Sequence, residues 1–311
     1  MRKTAILFAG QGSQVPGMGK SLYDSVSSAK DVYDRAGEKI KNLCFEGSAE
    51  DLAKTEHTQP CVFTTSLAIW AAVKPILEER KLSVEGMAGF SLGECTAVTA
   101  SGLFALETGL ALVEKRALWM AEEAGGKGGM CAVMGDVAVV ERLCREVGEK
   151  GNMVVPVNYN CPGQTVVAAD WSGMEKFTAL CKENRLRAIP LKVGGPFHSP
   201  LLKPAAEKLR GALEALSMGT LQVPVYSNLD AAPYSRETAA DRLSKQLMSP
   251  VRWEETIRRL LKQGVNFFIE IGPGRTLAGL NKKIDPGAET VSVDSLESLL
   301  KLEEKLKDET I

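Results

Sequence analysis

The sequence predicts an α/β fold in two parts, a large unit of strands alternating with helices and a smaller unit set into it. Three observations carry that expectation. Short apolar runs end at glycine or serine turns, segments of helical period follow them, and a glycine tract at 125–129 breaks the composition. TAILFA at 4–9 reads as a buried strand opening into the Gly10-Gln11-Gly12 loop. Ser66–Glu79 has apolar residues at helical spacing, 84–90 reads as a second strand, and the stretches after Ser91 and through 111–123 read as helices.

Beyond the glycine tract the expected elements are a strand at 130–134, a helix at 138–150, strands at 154–158 and 165–169, a helix at 174–184 and a strand at 187–193. That β-α-β-β-α-β order is ferredoxin-like, so 126–195 is expected as a small domain inserted into an α/β catalytic domain made of 1–125 and 196–311. Helices resume after Gly194-Gly195-Pro196. A strand at 266–271, a Gly-Pro-Gly turn at 272–274 and an amphipathic helix at 295–310 complete the chain.

The 311 residues are 44% hydrophobic, ample for a buried core, and 38 Lys and Arg against 39 Asp and Glu leave a net charge of −1. Such a balance lacks the basic footprint of a nucleic-acid binder. No continuous apolar run approaches the ~18–20 residues of a membrane span, and the run at 4–9 is shorter than a signal-peptide core. A soluble, unprocessed, cytoplasmic protein is expected. The seven cysteines are odd in number and form no C-x-x-C pair, so no disulfide framework is expected. With two histidines and no Cys/His cluster, no metal site is expected either.

Gly89-Phe90-Ser91-Leu92-Gly93 fits G-x-S-x-G, the nucleophile elbow, in which glycines let strand and helix approach around a serine. On that basis the large domain is expected to be α/β-hydrolase-like. The bland alternative is a glycine-rich turn with a capping serine. A nucleophilic serine needs a base, and the histidines are His198, in a loop flanked by Gly and Pro, and His57, in a polar segment ahead of a helix. Loop position favours His198. The order Ser then His agrees with hydrolase-like folds, but the sequence singles out no acidic third member.

Six blocks occur in order: Phe8-Ala9-Gly10-Gln11-Gly12-Ser13-Gln14, Gly89-Phe90-Ser91-Leu92-Gly93-Glu94, Lys115-Arg116, Asn160-Cys161-Pro162-Gly163-Gln164, Phe197-His198-Ser199 and Glu270-Ile271-Gly272-Pro273-Gly274. Together, from the first strand to about residue 284, they resemble the malonyl-CoA:acyl-carrier-protein transacylases of bacterial type II fatty acid synthesis. The resemblance implies an acyltransferase that forms a malonyl ester on Ser91, with His198 as base and then acid in a Ser-His dyad. It implies that the backbone carbonyl of Gln246 orients the imidazole, which accounts for the missing acid. The backbone N–H groups of Gln11 and Leu92 would form the oxyanion hole. Arg116 would hold the malonyl carboxylate, and Asn160 and Phe197 would line the acyl pocket, Phe197 in the malonyl-selective form of its block.

Two positions depart from the family pattern: Phe90 stands where His is usual, and Cys95 where an aromatic residue is common. The implied reaction is ping-pong transfer from malonyl-CoA to the phosphopantetheine thiol of holo acyl carrier protein, a transient partner. No cofactor is expected, coenzyme A being a substrate and product carrier, and the enzyme is expected to be a monomer. Lys182, Arg185, Arg187 and Lys192 would steer an acidic carrier. The rival readings are a serine hydrolase on the same fold, a non-catalytic carrier-binding subunit, and a transferase serving a polyketide assembly line.

Overall fold

The structure, a computed structural model, describes residues 2–308 and is built on two sheets. Nine strands lie among the described residues: β1 (Lys3–Phe8), β2 (Ser83–Gly89), β3 (Gly128–Met134), β4 (Val154–Cys161), β5 (Gln164–Asp170), β6 (Arg187–Pro190), β7 (Val225–Tyr226), β8 (Phe267–Ile271) and β9 (Glu289–Val293).

The first sheet is parallel throughout, in the order β7-β2-β1-β8-β9. Residues 5–8 of β1 and 267–271 of β8 are fully buried, as near-continuous apolar strands must be when both sheet faces are covered. The register pairs Phe8 with Gly89 on one side and with Ile271 on the other. Three strands therefore end level with one another, and their following turns, Gly10, Ser91 and Gly272, open at one edge. In parallel α/β sheets the carboxyl ends of the strands are where sites form.

The second sheet is antiparallel, in the order β4-β5-β3-β6. Its two-residue alternation divides β3 between two cores. Cys131 and Val133 face helices Val137–Gly148 and Trp171–Glu183 in a core with Val140 and Phe177, whereas Met130 and Ala132 join the main core of the molecule. This alternation brings Met130 and Val166 to the wall of the cavity described below.

Several elements differ from expectation. The helix expected at 66–79 begins at Thr55 and runs to Glu79, taking in His57 and the polar segment before it. Its 25 residues and a window of mean hydropathy 1.4 make it long and apolar enough to cross a membrane, although the sequence has no unbroken apolar run of that length. Yet 78% of that window is buried within the fold, the state of a core helix. The strand expected at 187–193 stops at Pro190, and Leu191, Lys192 and Val193 turn to the cavity instead. Strands β7 and β9 were not expected: β7 has two residues, and β9 is a half-buried edge strand with little apolar signal. The last helix spans Leu296–Asp308 and buries Leu299, Leu302 and Leu306, so 309–310 of the expected helix lie outside the described residues, as do residues 1 and 309–311 of the expected domain ranges.

Candidate active site

Between β2 and helix Leu92–Ala100 the backbone is packed too tightly for any side chain. A Cβ on Gly89 would sit 1.8 Å from the Gly93 carbonyl carbon, and one on Gly93 would sit 2.2 Å from the Phe8 carbonyl oxygen. Ser91, at the apex, has φ 52° and ψ −103°, a conformation that costs a non-glycine residue about 1–3 kcal/mol. Asn228 holds it there. The Ser91 N–H donates to Asn228 Oδ1 at 2.8 Å, and Asn228 Nδ2 donates to the Gly89 carbonyl at 2.8 Å. The Ser91 side chain makes no capping bond to its own helix, which sets aside the capping-serine alternative and leaves Oγ to partners outside that helix.

Ser91 Oγ lies 2.6 Å from His198 Nε2, and His198 Nδ1 lies 2.9 Å from the Gln246 carbonyl oxygen. A carbonyl only accepts, so Nδ1 carries the proton, and Nε2 faces the serine as an acceptor. His198 also has a positive φ, 60°, so the serine and the histidine both sit in backbone conformations that the surrounding fold must enforce. Burial, and after it the Arg116 guanidinium, push the imidazole down to about 4, against the raising effect of the Gln246 and Ser249 backbones. The ring is therefore neutral at neutral pH, the form a general base requires.

Arg116 lies on helix Leu106–Ala124 and is only 1% exposed. Its Nη1 donates to Gln59 Oε1 at 2.6 Å, and its Nη2 donates to Gln246 Oε1 at 2.9 Å and to Ser91 Oγ at 3.2 Å. Its Nε has no partner among the described residues. Burial lowers its pKa, yet a guanidinium remains a cation. A buried cation whose hydrogen-bond acceptors are all neutral is expensive to keep, and an anionic ligand reaching the serine would complete it.

Ser91 and His198 border a cavity of about 430 Å³ lined also by Gln11, Phe197, Asn160 and Met130 among others, and Arg116 lies behind its lining, reaching Ser91 Oγ. Leu92 is the first residue of its helix, so its N–H has no intrahelical acceptor and lies at the positive end of the helix dipole beside Ser91. Asn160 is buried and its Oδ1 has no partner among the described residues. Phe90 packs on Trp253 with ring centroids 5.5 Å apart. Cys95 is buried, and burial pushes its thiol up to about 11, which keeps it from competing as a thiolate. His57 is away from this group, with Nδ1 3.0 Å from the Asp51 carbonyl. Lys182, Arg185, Arg187 and Lys192 are all exposed, and Lys192 reaches the cavity lining. Among the described residues no group of three or more His, Cys, Asp or Glu is placed to hold a metal, and all seven cysteines are free thiols. A more open groove near Tyr159 and Arg259 lies apart, and its Arg258 and Arg259 are paired with Glu254 and Glu255 of their own helix.

Sequence reasoning gave no role to Asn228, Gln59 and Glu94, which the structure ties to this site. Asn228 holds the elbow, and Gln59 bridges Arg116 to Gln11 through Nε2 and Gln11 Oε1 at 3.3 Å. Glu94, fully buried, accepts from Tyr234 Oη, from the Asn228 N–H at 3.1 Å and from Gln246 Nε2 at 2.6 Å. Burial pushes its carboxyl up to about 7, opposed by those donors. Gln246 was expected to act through its backbone, but its side chain also joins Glu94 to Arg116. The only sequence signal was Glu94's place in the elbow block.

Comparison with known proteins gives consistent matches along the chain. The acyl transferase domain family matches residues 6–303. The malonyl CoA-acyl carrier protein transacylase of Bacillus subtilis (strain 168) is 43% identical over 317 residues, covering 99% of each chain. The crystal structure of MCAT from Streptococcus pneumoniae superposes with a TM-score of 0.91 at 40% identity, covering 97% of this chain and 100% of the other. PlMCAT, solved in complex with AntF, a type II PKS acyl-carrier protein in its holo form, superposes with a TM-score of 0.92 at 37% identity over 97% and 99% of the two chains.

Proposed function

The chain belongs to the acyl transferase domain family and, within it, to the malonyl CoA-acyl carrier protein transacylases, and from that premise we propose that it carries malonyl from malonyl-CoA to holo acyl carrier protein through an ester on Ser91, supplying fatty acid biosynthesis. It is an acyltransferase. The observation that carries the reading is the position of Ser91 Oγ, 2.6 Å from a neutral imidazole and 3.2 Å from a buried guanidinium.

In the first half-reaction Ser91 Oγ passes its proton to His198 Nε2 and attacks the thioester carbon. The oxyanion is met by the backbone N–H groups of Gln11 and Leu92, donors of a kind typically worth ~2.7–4 kcal/mol of barrier. The C–S bond then breaks, His198 returns the proton to the departing sulfur, and the malonyl ester remains on Ser91. In the second half the carrier's phosphopantetheine thiol gives its proton to His198 and attacks the ester, and Ser91 recovers the proton as it leaves. Throughout, Arg116 pairs with the free carboxylate of the malonyl group, which its planar fork suits. Asn160 and Phe197 shape the acyl chamber.

No cofactor enters this scheme, coenzyme A being a carrier on the substrate and product sides, and one chain supplies every group. The exposed Lys182, Arg185, Arg187 and Lys192 would meet an acidic carrier. We read the parallel unit with its elbow as α/β-hydrolase-like, and the β4-β5-β3-β6 unit, by its strand order, as a ferredoxin-like insert. A buried guanidinium argues against a generic ester hydrolase, since a neutral acyl group would leave it unpaired.

Arg116→Ala is the test. Its kcat/KM for malonyl-CoA should fall by about a hundredfold or more, as for a lost buried charge pair, while acetyl-CoA loses little. Equal losses for both acyl groups would mean that Arg116 is structural and would remove the malonyl reading of the site.

A further inference from the structure

We infer that Glu94 is a positioning residue for acyl selectivity: it fixes which way round the Gln246 side-chain amide sits, and so keeps an oxygen rather than an NH2 against Arg116. The inference rests on the reading of Arg116 as the malonyl clamp and deepens it. Glu94 lies outside the cavity lining and touches neither Ser91 Oγ nor His198.

A primary amide has one accepting end and one donating end of nearly the same shape, so its neighbours decide its orientation. Gln246 Nε2 meets two acceptors, Glu94 Oε2 at 2.6 Å and the Ser91 carbonyl at 2.8 Å. With both of those places needing a donor, Oε1 is left to face Arg116 Nη2, at 2.9 Å. The carboxylate is itself anchored, by the Tyr234 hydroxyl and by the backbone N–H of Asn228. Asn228 is the residue that holds the elbow, so one buried acid ties the nucleophile's support to the orientation of the guanidinium. An amide turned the other way would set NH2 against guanidinium. Nη2 would keep Ser91 Oγ but lose its closer acceptor, and the fork beside Ser91 would lose its aim.

Glu94→Gln takes away the acceptor that fixes the amide without changing volume, leaving the Ser91 carbonyl as the only acceptor for Gln246 Nε2. One end of the new amide must still accept from the Asn228 N–H, which turns its NH2 toward Gln246 and sets donor against donor there, so the Gln246 amide loses its fixed position against Arg116. The enzyme should then lose about tenfold or more in kcat/KM for malonyl-CoA relative to acetyl-CoA. In an Arg116→Ala background the same change should leave the malonyl-to-acetyl ratio where Arg116→Ala alone puts it. Gln246→Met removes the amide but keeps the carbonyl that holds His198. It should lower the ratio by the same factor, a result that stands even if Glu94→Gln fails to fold. An unchanged ratio in Glu94→Gln or Gln246→Met, or a further fall in the Arg116→Ala background, would overturn the inference while leaving the proposed function intact. A wild-type chain that takes no malonyl adduct, or an Arg116→Ala variant with an unaltered ratio, would bring down the functional reading and this inference with it.

Discussion

Behind Ser91, at the carboxyl ends of the parallel strands, polar groups are tied to one another: Asn228 to the elbow, Gln246 to His198 and Arg116, and Glu94 to Gln246, Asn228 and Tyr234. Across the cavity, the wall from the four-stranded unit and the segment after it mixes apolar Met130, Val166, Leu191 and Val193 with Asn158, Gln164 and Lys192, and its Asn160 Oδ1 has no partner among the described residues. The difference separates two tasks. The inner wall is held rigid by long-range hydrogen bonds, as bond-making requires. The outer wall offers shape and an unpartnered acceptor on Asn160, which suits holding an acyl chain and its arm. Substitutions on the two walls should therefore differ in kind as well as in size.

The largest effect belongs to the apex of the inner wall. Ser91→Ala should abolish the malonyl adduct, read by mass spectrometry, with an unchanged thermal melt. An adduct persisting on another residue such as Cys95 would break the division at its centre. His198→Ala comes next, with a loss of about 10²–10⁴ in transfer rate, the usual range for a removed general base. If His57→Ala were the more damaging change, the inner wall would have been misassigned.

The pH profile sharpens the same point. Because burial and Arg116 hold His198 at about 4, the neutral base persists well below its ordinary range. The acid limb of kcat/KM should fall only as pH drops toward that value, and Arg116→Ala should move the limb upward by removing a neighbouring cation. A wild-type limb at the ordinary imidazole position would contradict the buried-wall geometry. The smallest effect is on the outer wall. Asn160→Ala should raise KM by a few-fold, about the worth of one neutral hydrogen bond, with the malonyl-to-acetyl ratio unchanged. A shift in that ratio would erase the separation between the walls.

Legibility in the sequence followed the same line. The elbow and the Phe197-His198-Ser199 loop were readable because their function is local: glycine at 89 and 93 and a loop histidine are needed within a few residues of the chemistry. Strands β1 and β8 were readable because burial on both faces makes them continuous apolar runs. Asn228 and Gln59 were not. Asn228 acts on a residue 137 positions away, and nothing beside it in the chain distinguishes a turn asparagine from a backbone clamp. Gln59 sat in a segment read as polar and ahead of a helix, whereas it is a fully buried position of helix Thr55–Glu79. Strand β9 escaped because an edge strand with half-buried residues carries little hydrophobic signal.

The central claim, transfer through Ser91, is tested most directly by intact-mass analysis of the protein mixed with malonyl-CoA, before and after addition of holo acyl carrier protein. The account predicts one malonyl group per chain, mapped to Ser91 and stable until the carrier arrives, then lost from the enzyme as malonyl-carrier accumulates. Free malonate released at the same rate with or without carrier would make the protein a hydrolase, and the absence of any adduct would contradict the account outright.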